Sequence, residues 1–187
     1  VGTVHEGKVK VKIGITGAQS VGKTTLLNAL RSETGLLGYN VCDEVTRRVK
    51  SYGLPINENG TDTTQILIMQ EHIVNVFMYD NMITDRTALD GLVYSAYLHR
   101  TGKISVETLI KVRSIFNRVW PKYNYVFYIE PEFGIVDDGV RSVDVKFRNE
   151  IAELFETTIE KEKLPVVRVK GSVRNRVTTI IDMLEGR

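Results

Sequence analysis

Residues 17–24, Gly17-Ala18-Gln19-Ser20-Val21-Gly22-Lys23-Thr24, carry the most specific chemistry in the chain. The pattern G-x-x-x-x-G-K-T aims successive backbone N–H groups at one point and sets a lysine and a hydroxyl beside them. That combination holds the phosphates of a nucleoside triphosphate. Gly17, Gln19, Ser20, Val21, Gly22, Lys23, Thr24 and Thr25 form the cradle, Lys23 reaches the β- and γ-phosphates, and the Thr24 hydroxyl ligates Mg²⁺. ATP with Mg²⁺ is therefore the expected donor. The flanks agree: 11–16 is a short β-branched run that reads as a buried strand, and 24–31 is apolar at helical spacing. The loop thus opens onto a helix N-terminus, whose dipole favours an anion.

Other acids and bases fall where strands should end. Asp85-Arg86-Thr87 offers two roles for Asp85: holding the hydration shell of the magnesium, or accepting the proton of an attacking hydroxyl. A plain helix N-cap is the structural alternative. Asp90 reads as helix surface or as a support for Arg86. Glu44 and Arg47, three apart on one helix face, can orient or deprotonate an acceptor, or can be an ordinary surface ion pair. Asp85 and Glu44 both stand as candidates for the general base.

Asp137-Asp138-Gly139-Val140-Arg141, with Arg148 at helical distance, lies in a long polar connection at about 132–148. We read it as a lid whose arginines close over the transferring phosphoryl group and keep water out; a solvated charge run is the alternative. Arg86 and Gln70 join Glu44 and Arg47 as acceptor-binding candidates, although a polar helix face also accounts for Gln65, Gln70 and Glu71. Arg174 and Arg176 either flank an adenine or lie on the surface. Trp120, Tyr123 and Tyr125 read as core and strand-edge aromatics. His72 and His99 have no partners at ligand spacing and receive no role.

The elements needed to position these groups alternate along the chain. Strands are predicted at 11–16, 39–42, 81–84, 125–129 and 166–169. Helices are predicted to about 32, from 43 to near 53, at 63–79 with Thr61 or Asp62 as cap, at 88–100, at 105–119, at 144–162 and after Ser172. This order makes βαβ units: a three-layer α/β fold, about five parallel strands with helices on both faces, and a lid. Ligands of such sheets bind at the carboxyl ends of the strands, so the candidate residues converge on one rim.

At 187 residues, 42% apolar and 26% charged, the chain suits one domain at 11–187 behind a flexible extension at 1–10. A net charge of +2 argues against a strongly electrostatic nucleic-acid binder. The single cysteine, Cys42, excludes an internal disulfide framework and a cysteine-cluster metal site, and fits a cytoplasmic setting. No run is long enough to span a membrane, so no membrane partner is expected. No N-K-x-D guanine-reading motif occurs, and strand three ends in Asp-Arg rather than in the paired acids of a motor. A P-loop switch or motor is the reading from another class.

Several of these features occur together in one family. The phosphate loop, Glu44-x-x-Arg47, Thr84-Asp85-Arg86-Thr87, Val126-Phe127-Tyr128-Ile129-Glu130-Pro131 and Asp137-Asp138-Gly139-Val140-Arg141 with Arg148 resemble the nicotinamide riboside kinase-like (NadR-type AAA ATPase/kinase) family. That family includes many phage and bacterial members, and the resemblance spans roughly residues 11–185. It implies a nucleoside/nucleotide kinase-like fold and transfer of the ATP γ-phosphate to a hydroxyl of a nucleoside, a nucleotide or a related acceptor. Asp85-Arg86-Thr87 also resembles the acid-arginine-serine motif of deoxynucleoside kinases. The chain has no room for the adenylyltransferase domain that accompanies nicotinamide riboside kinase domains, which favours a free-standing kinase. A nucleic-acid hydroxyl, including a 5-hydroxymethyl base in phage DNA, is the alternative acceptor.

Overall fold

The structure, a computed structural model, describes residues 10–33, 36–43, 45–131 and 145–186. All but the last residue of the expected extension, Glu44 and most of the expected lid, including Asp137, Asp138 and Arg141, lie outside these residues.

Five strands form one parallel sheet: β1 (Lys12–Thr16), β2 (Asn40–Cys42), β3 (Met82–Asp85), β4 (Tyr125–Ile129) and β5 (Val167–Val169), in the order β2-β3-β1-β4-β5. The three central strands are almost wholly buried, the burial expected of a sheet covered on both faces. Register places Ile15 beside Asp85 and Thr16 beside Tyr128, so the carboxyl ends of β1, β3 and β4 share one rim. The chain leaves β1 toward one edge and returns to lay β4 on its other side. This makes the end of β1 the topological switch point, where open α/β sheets bind ligands.

The helices are α1 (Lys23–Leu30), α2 (Val45–Ser51), α3 (Asp62–Met78), α4 (Ala88–Arg100), α5 (Val106–Val119), α6 (Val145–Lys161) and α7 (Val173–Leu184). α1 packs with α7, while α3, α4, α5 and α6 pack against one another. Apart from α2, the helices meet the sheet in a core that includes Ile13, Ile15, Leu26, Met69, Phe127 and Phe155, while α2 buries Val45 and Val49 against Ile68 of α3. The caps follow the sequence. Thr61, Ser105 and Ser172 each accept a backbone N–H at the start of α3, α5 and α7. Asp62 does not cap α3. Its carboxylate instead accepts from the Ser105 backbone N–H (2.8 Å), which fastens α3 to the start of α5.

α4 opens with a full capping box, Thr87 with Asp90, so Thr87 rather than Asp85 caps that helix. The N-cap reading of Asp85 is thereby removed. Gly91, on the next turn, lets α4 lie close to α3: a Cβ there would stand 2.3 Å from Met69 Sδ.

Candidate active site

The loop between β1 and α1 owes its shape to three left-handed residues: Gly17 (φ 145°), Ser20 (φ 62°) and Gly22 (φ 88°). A Cβ on Gly17 would come within 2.7 Å of the Ile129 carbonyl oxygen, so β4 admits only glycine there. Lys23, 5% exposed, turns its ammonium into the curve of the loop and donates to Gly17 O (2.8 Å) and Ala18 O (2.6 Å). Ser20 Oγ and Gln19 Nε2 are buried without a hydrogen-bond partner. A positive group inside a curved backbone, with unused donors around it, fits a polyphosphate.

Behind the loop lies Arg176, on the first turn of α7 and 2% exposed. Its Nη1 donates to Val21 O (2.8 Å) and its Nε to Gly171 O (2.9 Å). A surface position does not describe it: this arginine ties the phosphate loop to the loop after β5.

The Thr24 hydroxyl donates to Asp85 Oδ2 at 2.7 Å, and the other carboxylate oxygen, Oδ1, has no hydrogen-bond partner. Asp85 is 1% exposed at the end of β3. A hydroxyl and a half-used carboxylate beside a phosphate cradle fit a Mg²⁺ that completes its coordination with phosphate oxygens. No cluster of three or more His, Cys, Asp or Glu able to hold a metal occurs among the described residues.

Arg86 follows in a left-handed conformation (φ 80°), uncommon outside glycine and a recurrent mark of functional sites. The turn is held by its backbone N–H to Ile15 O (2.9 Å) and by the Thr84 hydroxyl to Arg86 O (3.0 Å). It swings the guanidinium inward, 3.6 Å from Asp90 Oδ1 and 5.3 Å from the centre of the Tyr94 ring. Asp90 Oδ2 accepts from the Thr16 hydroxyl (2.6 Å) and the Thr87 backbone N–H (2.8 Å), while its Oδ1 has no hydrogen-bond partner and faces Arg86. It supports Arg86 and is not helix surface. Burial raises the Asp90 pKa, against the opposing pull of Arg86, Lys23, Thr16 and Thr87.

Arg86, Asp90, Gly91 and Tyr94 form one wall of a cavity with about 310 Å³ of empty space, mouth included. Gln65, Ile68 and His72 of α3 face them, and Thr46 and Asn57 complete the lining. The cavity's enclosed volume is about 20 Å³, room for a single water. Tyr94 links the cavity to the donor loop, donating its hydroxyl to Gln19 Oε1 (2.7 Å). Phe147 of α6 packs edge-on against Tyr94, with ring centres 6.0 Å apart.

The expected site residues therefore separate. Lys23, Thr24, Asp85 and Arg86 come together; Gln19 joins them through its side chain as well as its backbone. Thr25 is exposed on the first turn of α1. Arg47 is exposed on α2, whereas its neighbour Thr46 faces the cavity. Gln70 lies on the outer face of α3, away from the cavity, and Glu71 pairs there with Arg48 (2.5 Å). Arg148 is half-buried on α6, next to the Phe147 that touches Tyr94. Reading the sequence missed His72, Tyr94 and Thr46. Gln65 and His72 are seven apart, two helical turns, and that spacing was the available signal.

The sequence over residues 12–176 matches the family model AAA_28, described as an AAA domain. Curated protein sequences yield no match. Among solved structures, NadR in complex with NR superposes with a TM-score of 0.73 at 16% identity, covering 96% of this chain and 52% of NadR. The chain thus spans about half the length of that protein. Deoxyadenosine kinase from M. mycoides with bound products superposes with a TM-score of 0.69 at 16% identity, covering 95% of this chain and 100% of the kinase. The YorR protein of Bacillus subtilis, in complex with phosphorylated GDP, gives 0.58 at 16% identity, covering 94% and 96%. At such identities the likeness establishes a shared fold, a five-stranded parallel P-loop architecture. The family match runs from β1 into the first turn of α7, and on it the chain belongs to the AAA_28 family of AAA domains.

Proposed function

We propose that this protein is an ATP- and Mg²⁺-dependent kinase that transfers the γ-phosphate to a hydroxyl of a nucleoside, a nucleotide or a related small acceptor. One observation carries the reading: Asp85 bonds the phosphate-loop Thr24 from one side, and the next residue, Arg86, turns into a buried polar cavity. Donor loop and cavity are thus joined through a single strand end, as a transfer reaction requires.

In this reading the loop amides and Lys23 hold the β- and γ-phosphates. Thr24 and Asp85 would hold Mg²⁺, which would supply charge neutralisation during phosphoryl transfer. Arg86 orients the acceptor hydroxyl, itself held in place by Asp90. The acceptor oxygen forms a bond to the γ-phosphorus while the bond to the β,γ-bridging oxygen breaks, and the nucleoside diphosphate leaves. The hydroxyl proton passes to a carboxylate. Because Asp85 Oδ2 is already engaged with Thr24, we assign Asp85 to the metal and the proton to Glu44, with Arg47 beside it. Arg141 and Arg148 close the site as a lid and stabilise the charge that develops on the phosphoryl group. The reaction needs no membrane partner, and no helix among the described residues is long and apolar enough to cross one.

Incubation with γ-labelled ATP and a panel of nucleosides and nucleotides tests this. Transfer of label to at least one acceptor is expected. Hydrolysis of ATP that no acceptor alters would overturn the proposal.

A further inference from the structure

His72 sits in the middle of α3, 0% exposed, and neither of its ring nitrogens has a hydrogen-bond partner. Buried polar atoms are almost always paired, because an unpaired one keeps its desolvation cost without return. A leucine of similar size would suit the fold better. The histidine is instead placed where it lines the cavity with Gln65, Ile68, Thr46, Asn57, Arg86, Gly91 and Tyr94.

The chemistry of those walls is selective. Ile68 and Tyr94 bring apolar surface to the lining, with the Arg86 guanidinium over the Tyr94 ring. Gln65 is held by the Ser95 hydroxyl, which donates to its Oε1 at 3.0 Å. The charged groups facing His72 are Arg86 and Asp90, which are paired with each other. Burial, and secondarily Arg86, lower the His72 pKa from 6.5 to about 3. The ring is therefore neutral at physiological pH and presents one N–H donor and one acceptor nitrogen. A ring with apolar faces and a mixed donor–acceptor edge matches these lining groups better than a sugar or a simple alcohol does.

We propose that His72 is a specificity-determining residue that hydrogen-bonds the edge of a nitrogen heterocycle carried by the acceptor. The proposal rests on reading this cavity as the acceptor site, and it narrows the acceptor to one that bears a nucleobase-like ring. His72 binds and does not transfer protons; its effect is on acceptor affinity and on discrimination between rings.

The test uses the full chain with a non-hydrolysable ATP analogue present. Calorimetric titration would compare purine and pyrimidine nucleosides with ribose as the ring-free control, on wild type, His72→Leu and His72→Gln. At least one nucleoside should bind the wild type and ribose should not. His72→Leu should weaken nucleoside binding at least tenfold, while affinity for the ATP analogue and melting temperature hold or rise. His72→Gln, which keeps a donor and an acceptor, should recover part of the affinity and reorder the preference among rings. Three results would each overturn the proposal: no nucleoside binds the wild type, ribose binds as well as a nucleoside, or His72→Leu binds unchanged. Should His72→Leu not fold, an unaltered ring preference in His72→Gln has the same consequence. The kinase reading fails separately, if nucleosides bind in this His72-dependent way yet receive no phosphate.

Discussion

Lys23 and Asp85 carry the chemistry that single residues can be asked about. Lys23 places its charge within the loop that holds the phosphates, so Lys23→Ala should cost about two orders of magnitude in turnover or more. Steady-state kinetics with a fixed acceptor reads this directly, and near-normal turnover would remove the loop from catalysis. Asp85→Asn keeps the shape but loses the charge that faces the cation. We expect it to raise the Mg²⁺ concentration required for half-maximal rate and to weaken ATP binding; a fall in kcat with Mg²⁺ and ATP dependence unchanged would instead make Asp85 the base. His72 leads to a prediction about pH. Its folded pKa, about 3, lies below the unfolded value near 6.5, so the unfolded chain takes up the proton first as pH falls. The protonation cost of burying His72 is absent above pH 6.5 and destabilises the fold as pH drops from there toward 3, by up to about 1.4 kcal/mol per pH unit. Asp90, its pKa raised by burial, works in the opposite sense, so the contrast between variants is the informative quantity. Between pH 7.5 and 5, His72→Leu should lose about 2 kcal/mol less stability to acid than wild type in urea titrations.

At the scale of elements, the site depends on how loops are pinned to one another. Arg176 reaches from the start of α7 to the carbonyl of Val21 and to the carbonyl of Gly171, and its removal would leave the phosphate loop without that anchor. Arg176→Met retains much of the buried stem and drops the hydrogen bonds. We expect it to raise the KM for ATP severalfold with a smaller change in the KM for acceptor, and to lower stability by about 1–3 kcal/mol through unpaired carbonyls. Equal effects on both substrates would point to general loosening rather than a role at the donor loop. Most of this level was legible in advance. The β-branched runs, the periodic helices and the serine and threonine caps placed each strand and helix within a few residues, because those signals are local. Arg176 was not legible as an anchor: nothing near it in the chain announces that Val21, 155 positions away, provides its partner.

For the whole molecule, the phosphate loop and the cavity are joined by Gln19, Tyr94 and Arg86, so under the proposed function occupancy of one should be felt as stability of the whole domain. A non-hydrolysable ATP analogue with Mg²⁺ at about 100 times its Kd should add about 2.7 kcal/mol, roughly 5–10 °C in melting temperature for a domain of this size. The shift should shrink sharply in Lys23→Ala, and an equal shift there would place the nucleotide elsewhere. By itself the sequence determined the phosphate loop, the alternation of strands and helices, and the rim on which Asp85 and Arg86 sit, since motif spacing and hydrophobic period are local properties of a chain. Tertiary structure decided which polar residues serve that rim. It turned Thr46 and not Arg47, and His72 and not Gln70, toward the cavity, and it made Asp90 a support for Arg86 rather than a surface charge. A helix carries polar residues on every side, and only the elements packed against it determine which side becomes a site.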